Sequence, residues 1–102
     1  MSNELRAACK RLWGRGPEWT EVICAGEDTI VVLLKGVLTD AERSLLSVDR
    51  DALVSSARAA LLEVIEPEVR SIVQRQFGRE THAFVSGIDV ERDVASIVVT
   101  LR

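Results

Sequence analysis

The 102-residue sequence predicts an α+β domain in which two apolar strand hairpins flank a long helical stretch. Three observations carry that expectation. Residues 19–25 and 29–37 are short apolar runs separated by Gly26-Glu27-Asp28, a turn sequence. Residues 81–88 and 94–101 repeat the pattern around an acidic turn, Asp89 to Asp93. Between the hairpins, residues 51–77 place apolar side chains at helical spacing. Strands grouped apart from helices give an antiparallel sheet of about four strands with helices on one face. The chain reads as one domain over residues 1–102, long enough to bury roughly 65% of its unfolded surface without staples.

The elements follow in order. Leu5, Ala8, Cys9 and Leu12 fall on one face of a short helix over 5–13, with Ser2 or Asn3 as its cap. Gly14-Arg15-Gly16-Pro17 stops it, because Gly suits the left-handed residue after a helix and Pro forbids resumption. In the first hairpin, Gly36 suggests a bulge. Thr39-Asp40-Ala41-Glu42 is a capping-box pattern that starts a short helix through Leu45 or Leu46. Ser47 or Asp49 is placed to cap the next start, and Asp51 to favour its first turn. In the long helix the expected apolar stripe is Leu53, Ala57, Ala60, Leu61, Val64 and Ile65, continued by Val69, Ile72, Val73 and Phe77. Its phase survives Pro67, so one kinked helix, or two butted end to end, is expected. Gly78 ends it. Such a helix is roughly 40 Å long, more than a globule of this size accommodates without a bend or a projecting end.

Ile30 to Leu34 and Ile97 to Val99 do not alternate apolar with polar, as half-exposed strands do. Strands of that kind are usually covered on both faces. Helices supply one cover, and a homodimer is the expected source of the other, unless the N-terminal helix fills that role. Packing of the long helices against each other is the second route to a dimer.

Composition narrows the function classes. Net charge is −3, with 13 basic and 16 acidic residues, so a nucleic-acid partner is not expected. Cys9 and Cys24 are the only cysteines and make no disulfide framework. The first residues carry no apolar leader, and the longest apolar run falls far short of the ~20 residues that span a bilayer. A cytoplasmic protein with no direct membrane insertion is expected.

Chemistry-bearing constellations are few. Gly14, Arg15, Gly16 and Pro17 form either a helix stop with a paired Arg or a small anion nest. Cys9 with His82 is the candidate thiol–imidazole pair, and Cys9 sits on an apolar stripe. Asp89, Glu91 and Asp93 have alternate spacing but lack the Gly and closing Glu of a calcium loop. Arg70, Arg75 and Arg79 interleave with Glu66, Glu68 and Glu80 as surface pairs. No catalytic residue, metal ligand or cofactor is assigned.

Leu12-Trp13-Gly14-Arg15-Gly16-Pro17-Glu18 and Gly36-Val37-Leu38-Thr39-Asp40-Ala41-Glu42 together resemble the MpsC-like family. So does the long helix ending near Phe77-Gly78-Arg79 before a strand, an acidic turn and a last apolar strand. The resemblance runs over nearly the whole chain. It implies an accessory protein acting beside a membrane transport system, with no catalytic residues. The expectation is a non-enzymatic, homodimeric adaptor with a membrane-protein or signalling partner. The alternative is a small-ligand sensor holding an anion near Gly14–Pro17, Thr39 and Glu42.

Overall fold

The computed structural model describes all 102 residues. Helix α1 spans Ser2–Trp13, strand β1 Trp19–Cys24, β2 Thr29–Lys35, α2 Asp40–Ser47, α3 Asp51–Phe77, β3 Thr81–Asp89 and β4 Val94–Leu101. The four strands form one antiparallel sheet in the order β1-β2-β4-β3. The two hairpins therefore meet along β2 and β4, the most apolar strands, at the sheet centre.

The register sorts the side chains into two faces. Ile30, Val32 and Leu34 of β2 lie beside Val99, Ile97 and Ala95 of β4, and all six are buried. They join Leu5, Ala8 and Cys9 of α1 and Val54, Leu62, Ile65, Val69, Ile72 and Val73 of α3 in one core. Burial along β2 and β4 alternates residue by residue, although their sequences do not. The helices thus cover one face. The alternative that α1 covers the second face is overturned, because α1 packs on α3 and β1 and sends its apolar stripe into that same core.

Several local expectations are corrected. Helix α1 begins at Ser2 with Met1 as its cap, and no side chain caps it. Gly36 lies just past the end of β2 rather than in a bulge. Its φ is +69°, and a Cβ there would lie 2.6 Å from the Glu18 side chain, so both conformation and space demand Gly. Helix α3 starts without a side-chain cap: Arg50 occupies the cap position, and neither Ser47 nor Asp49 reaches it. Pro67 stands inside an unbroken helical span. The longest extent of the molecule, 45 Å, matches the helix length of about 40 Å.

The apolar stripe on the first half of α3 is shifted by one residue from the expected one. Val54, Arg58, Leu62 and Ile65 face the core, whereas Leu53 and Val64 are more than half exposed. Both phases carry apolar residues at helical spacing, and the true one is interrupted by Arg58, which hides it. Truncating Ile65 to Ala is therefore expected to cost about 2–5 kcal/mol, and Val64→Ala clearly less. Urea unfolding of the two variants checks the phase; equal losses would contradict it.

Candidate functional site

The loops at one end of the sheet gather all the residues that the sequence marks as a candidate binding site. Gly14 takes φ +79° and donates its amide to the Lys10 carbonyl, ending α1. The turn that follows buries Pro17 and sends Arg15 across to the second loop. Arg15 Nη1 donates to the Leu38 carbonyl at 3.2 Å, and Nη2 to Glu18 Oε1 at 2.8 Å. Gly16 is half-buried near the Arg6 carbonyl.

Thr39 and Glu42 form the expected capping box. The Glu42 amide donates to Thr39 Oγ1 at 3.2 Å, and the Thr39 amide donates to Glu42 Oε1 at 2.9 Å. Glu42 has a further partner. Arg58, 2% exposed, reaches it from α3, donating from Nε to Oε2 at 2.7 Å and from Nη2 to Oε1. Nη2 also donates to the Val37 carbonyl at 3.0 Å. Nη1 is buried with no hydrogen-bond partner. The Trp13 ring lies under the guanidinium, 5.3 Å from its centroid, and supplies a cation–π contact. Trp13 is itself fixed by donating Nε1 to the Leu61 carbonyl at 3.0 Å.

A third segment closes the node. Asp93, the last residue of the acidic turn, has φ +55°. Its carboxylate accepts from the amides of Val37 at 2.8 Å and Leu38 at 3.2 Å. Its carbonyl accepts from the Gly36 amide at 3.1 Å, and Arg43 donates to the carboxylate at 3.3 Å. Asp93 is thus no idle member of the acidic turn: it ties β4 to the loop before α2. Arg58, Asp93 and Trp13 are the members that sequence reasoning missed. Arg58 carried one readable clue: it stands four residues from both Val54 and Leu62, on their face.

The electrostatics follow from the packing. Burial alone would raise the Glu42 carboxyl, but the hydrogen bonds from Arg58 and Thr39, with the Arg58 charge, outweigh it and hold the carboxyl below its ordinary range. Burial pushes the Cys9 thiol up to about 11 against the opposing Arg58 charge, so it stays protonated near neutrality. His82 is exposed on β3, far along the chain from α1. No group of three His, Cys, Asp or Glu side chains is placed to hold a metal ion.

Elsewhere, the largest groove, about 630 Å³, is lined by Arg70, Arg75 and Arg79 with Ser71, Gln74 and Thr81. Each arginine already has a carboxylate: Glu66 for Arg70, Glu4 for Arg75 and Asp28 for Arg79. Of the expected pairs only the first forms, and Glu68 instead meets Arg11 at 2.7 Å.

The second face of the sheet contrasts with these satisfied groups. One row across all four strands reads Ile23, Val31, Val98 and Val85. The next reads Glu21, Leu33, Ser96 and Gly87, and the last Trp19, Lys35, Val94 and Asp89. Ile23 is 39% and Val85 62% exposed. Trp19, 38% exposed, carries Lys35 Nζ 4.4 Å from its ring centroid at the edge of the patch. At ordinary strand spacing and rise this face covers on the order of 400 Å². Its apolar part is concentrated in the first row, and contiguous exposed apolar surface on a monomer often marks an interaction site.

These features define an α+β domain with one helix-covered sheet face, one open face crossed by an apolar row, and a polar node whose groups bond one another except at Arg58 Nη1. The chain belongs to the MpsC family: the family model described as "Na+-translocating membrane potential-generating system (MpsC)" matches residues 1–102. No curated protein and no solved structure matches it.

Two outcomes are expected at the node. Arg58→Met is expected to destabilise by about 3–5 kcal/mol, because Glu42 loses its cation, while the double variant Arg58→Met, Glu42→Gln loses less. Denaturant unfolding of the four proteins measures this, and strict additivity would contradict a coupled pair. The Glu42 carboxyl is held below its unfolded value of 4.5. Its stabilisation is therefore full above that value and is lost as pH falls through the lower folded value. Acid unfolding curves of the wild type and Glu42→Gln should converge once pH has fallen through the lowered folded value; a gap unchanged down to full acid would contradict the assignment.

Proposed function

We propose that this chain is a non-enzymatic accessory domain of a Na+-translocating, membrane-potential-generating system, working on the cytoplasmic side as a homodimer. Its partner docks on the bare sheet face. The observation that supports this most is the apolar row Ile23–Val31–Val98–Val85, exposed at Ile23 and Val85 and partly buried at Val31 and Val98, on the face opposite the helices. The family description supplies the process. No helix is long and apolar enough to cross a membrane, so a helical ion path would have to come from a partner.

The same geometry speaks less for an anion sensor at Gly14–Pro17. Both terminal nitrogens of Arg15 are engaged, and Thr39 and Glu42 bind each other and Arg58. Catalysis by Cys9 has equally little support, since its thiol is desolvated in the core.

Complementation in cells deleted for the gene tests the reading, with Na+-dependent membrane potential followed by a voltage-sensitive dye. Wild type and His82→Ala should restore the potential. Ile23→Glu with Val85→Glu, folded by circular dichroism, should not. Full rescue by the sheet-face variant would sink the docking surface, and loss in His82→Ala would reopen an enzymatic role.

A further inference from the structure

Leu53, Ala57, Ala60 and Val64 line one side of α3, turned away from the core, and all four are exposed. The larger residues stand at the ends and the two alanines at the centre. Helices that cross on small residues approach closely, and larger side chains fill the space where they diverge. An antiparallel two-fold centred between Ala57 and Ala60 sets Leu53 of one copy opposite Val64 of the other.

The charges choose that direction. Arg50 forms no ion pair and no side-chain hydrogen bond within the chain, and α3 begins there without a side-chain cap. Glu68 is 18 residues further on, about five turns at ~3.6 residues each, so it lies on the same flank of the stripe as Arg50. A two-fold axis perpendicular to the helices keeps flanks matched. It brings Glu68 of one copy to Arg50 and to the positive, uncapped start of α3 in the other. Glu68 uses only Oε1 on Arg11, leaving its second oxygen to accept. A parallel arrangement would instead set two Arg50 side chains and two positive helix ends together.

We propose that the outer stripe of α3 is where a second copy of this chain binds, antiparallel and two-fold, with Arg50 and Glu68 pairing across the interface. This rests on the homodimer reading above and leaves the sheet face free for a different partner.

The test uses the full chain in a Cys24→Ser background, with Leu53→Cys and Val64→Cys made separately and oxidised alone or mixed. The mixture should give a covalent dimer, and each variant alone much less. Leu53 and its own copy would lie about 16 Å apart along the axis, beyond disulfide reach. Ala60→Arg should shift light scattering at micromolar concentration from dimer to monomer without changing the helical signal. Val85→Glu should leave the dimer intact. Arg50→Glu should weaken association several-fold, and adding Glu68→Arg should restore it. A wild type monomeric throughout would overturn this proposal together with the homodimer reading. A dimer that survives Ala60→Arg but is lost in Val85→Glu would overturn this proposal alone. Strong self-crosslinking of Leu53→Cys would overturn the antiparallel arrangement.

Discussion

A four-stranded sheet has two faces, and this chain commits the buried side chains of its helices to one of them. Leu5, Ala8 and Cys9 of α1 and the core stripe of α3 meet Ile30, Val32, Leu34, Ala95, Ile97 and Val99 on a single side. That one-sided coverage governs the rest. Helix α3 remains one unbroken helix of about 40 Å in a molecule 45 Å long. One-sided coverage also leaves apolar residues of β1, β2, β3 and β4 in contact with solvent, where a globular domain of this size normally places polar ones.

The node at the end of the sheet makes that arrangement rigid. A buried guanidinium is costly unless its neighbours are fixed. Glu42 is fixed by its own capping box, the Val37 carbonyl by the Asp93 clamp on the 37–38 amides, and the Trp13 ring by Leu61. Arg58 thereby ties α1, α2, α3 and the β2–α2 loop through one side chain. Residues that look like a binding loop when read singly are the means by which three loops hold each other. Their hydrogen-bonding capacity is largely spent within the fold, which moves attention to the surfaces.

Local patterns were the legible part of the sequence. The bounds of α3, both hairpins, the Thr39–Glu42 box and the Gly78 stop follow from short-range stereochemistry, and they stand in the structure. The azimuth of α3 was not legible, because Leu53-Ala57-Ala60-Val64 makes a cleaner apolar stripe than one broken by Arg58. Nor was Asp93, whose role depends on a loop more than fifty residues away in sequence. At the candidate site, Arg15, Thr39 and Glu42 were readable as individual residues. Their mutual satisfaction was not, since it needs Arg58 and Asp93 from distant elements. The non-alternating strands did carry information, but about what lies outside the chain: apolar residues on the uncovered face have no reason to exist within the monomer.

The most direct measurement of that central claim is solvent paramagnetic relaxation of methyl groups in the purified protein, using a soluble neutral probe. Ile23, Val31, Val85 and Val98 should relax strongly, while Val32, Ile97 and Val99 on the opposite face of the same strands stay protected. Protection of Val31 and Val98 to the level of Val32 and Ile97 would contradict the account, because it would mean that the protein itself covers both faces of its sheet.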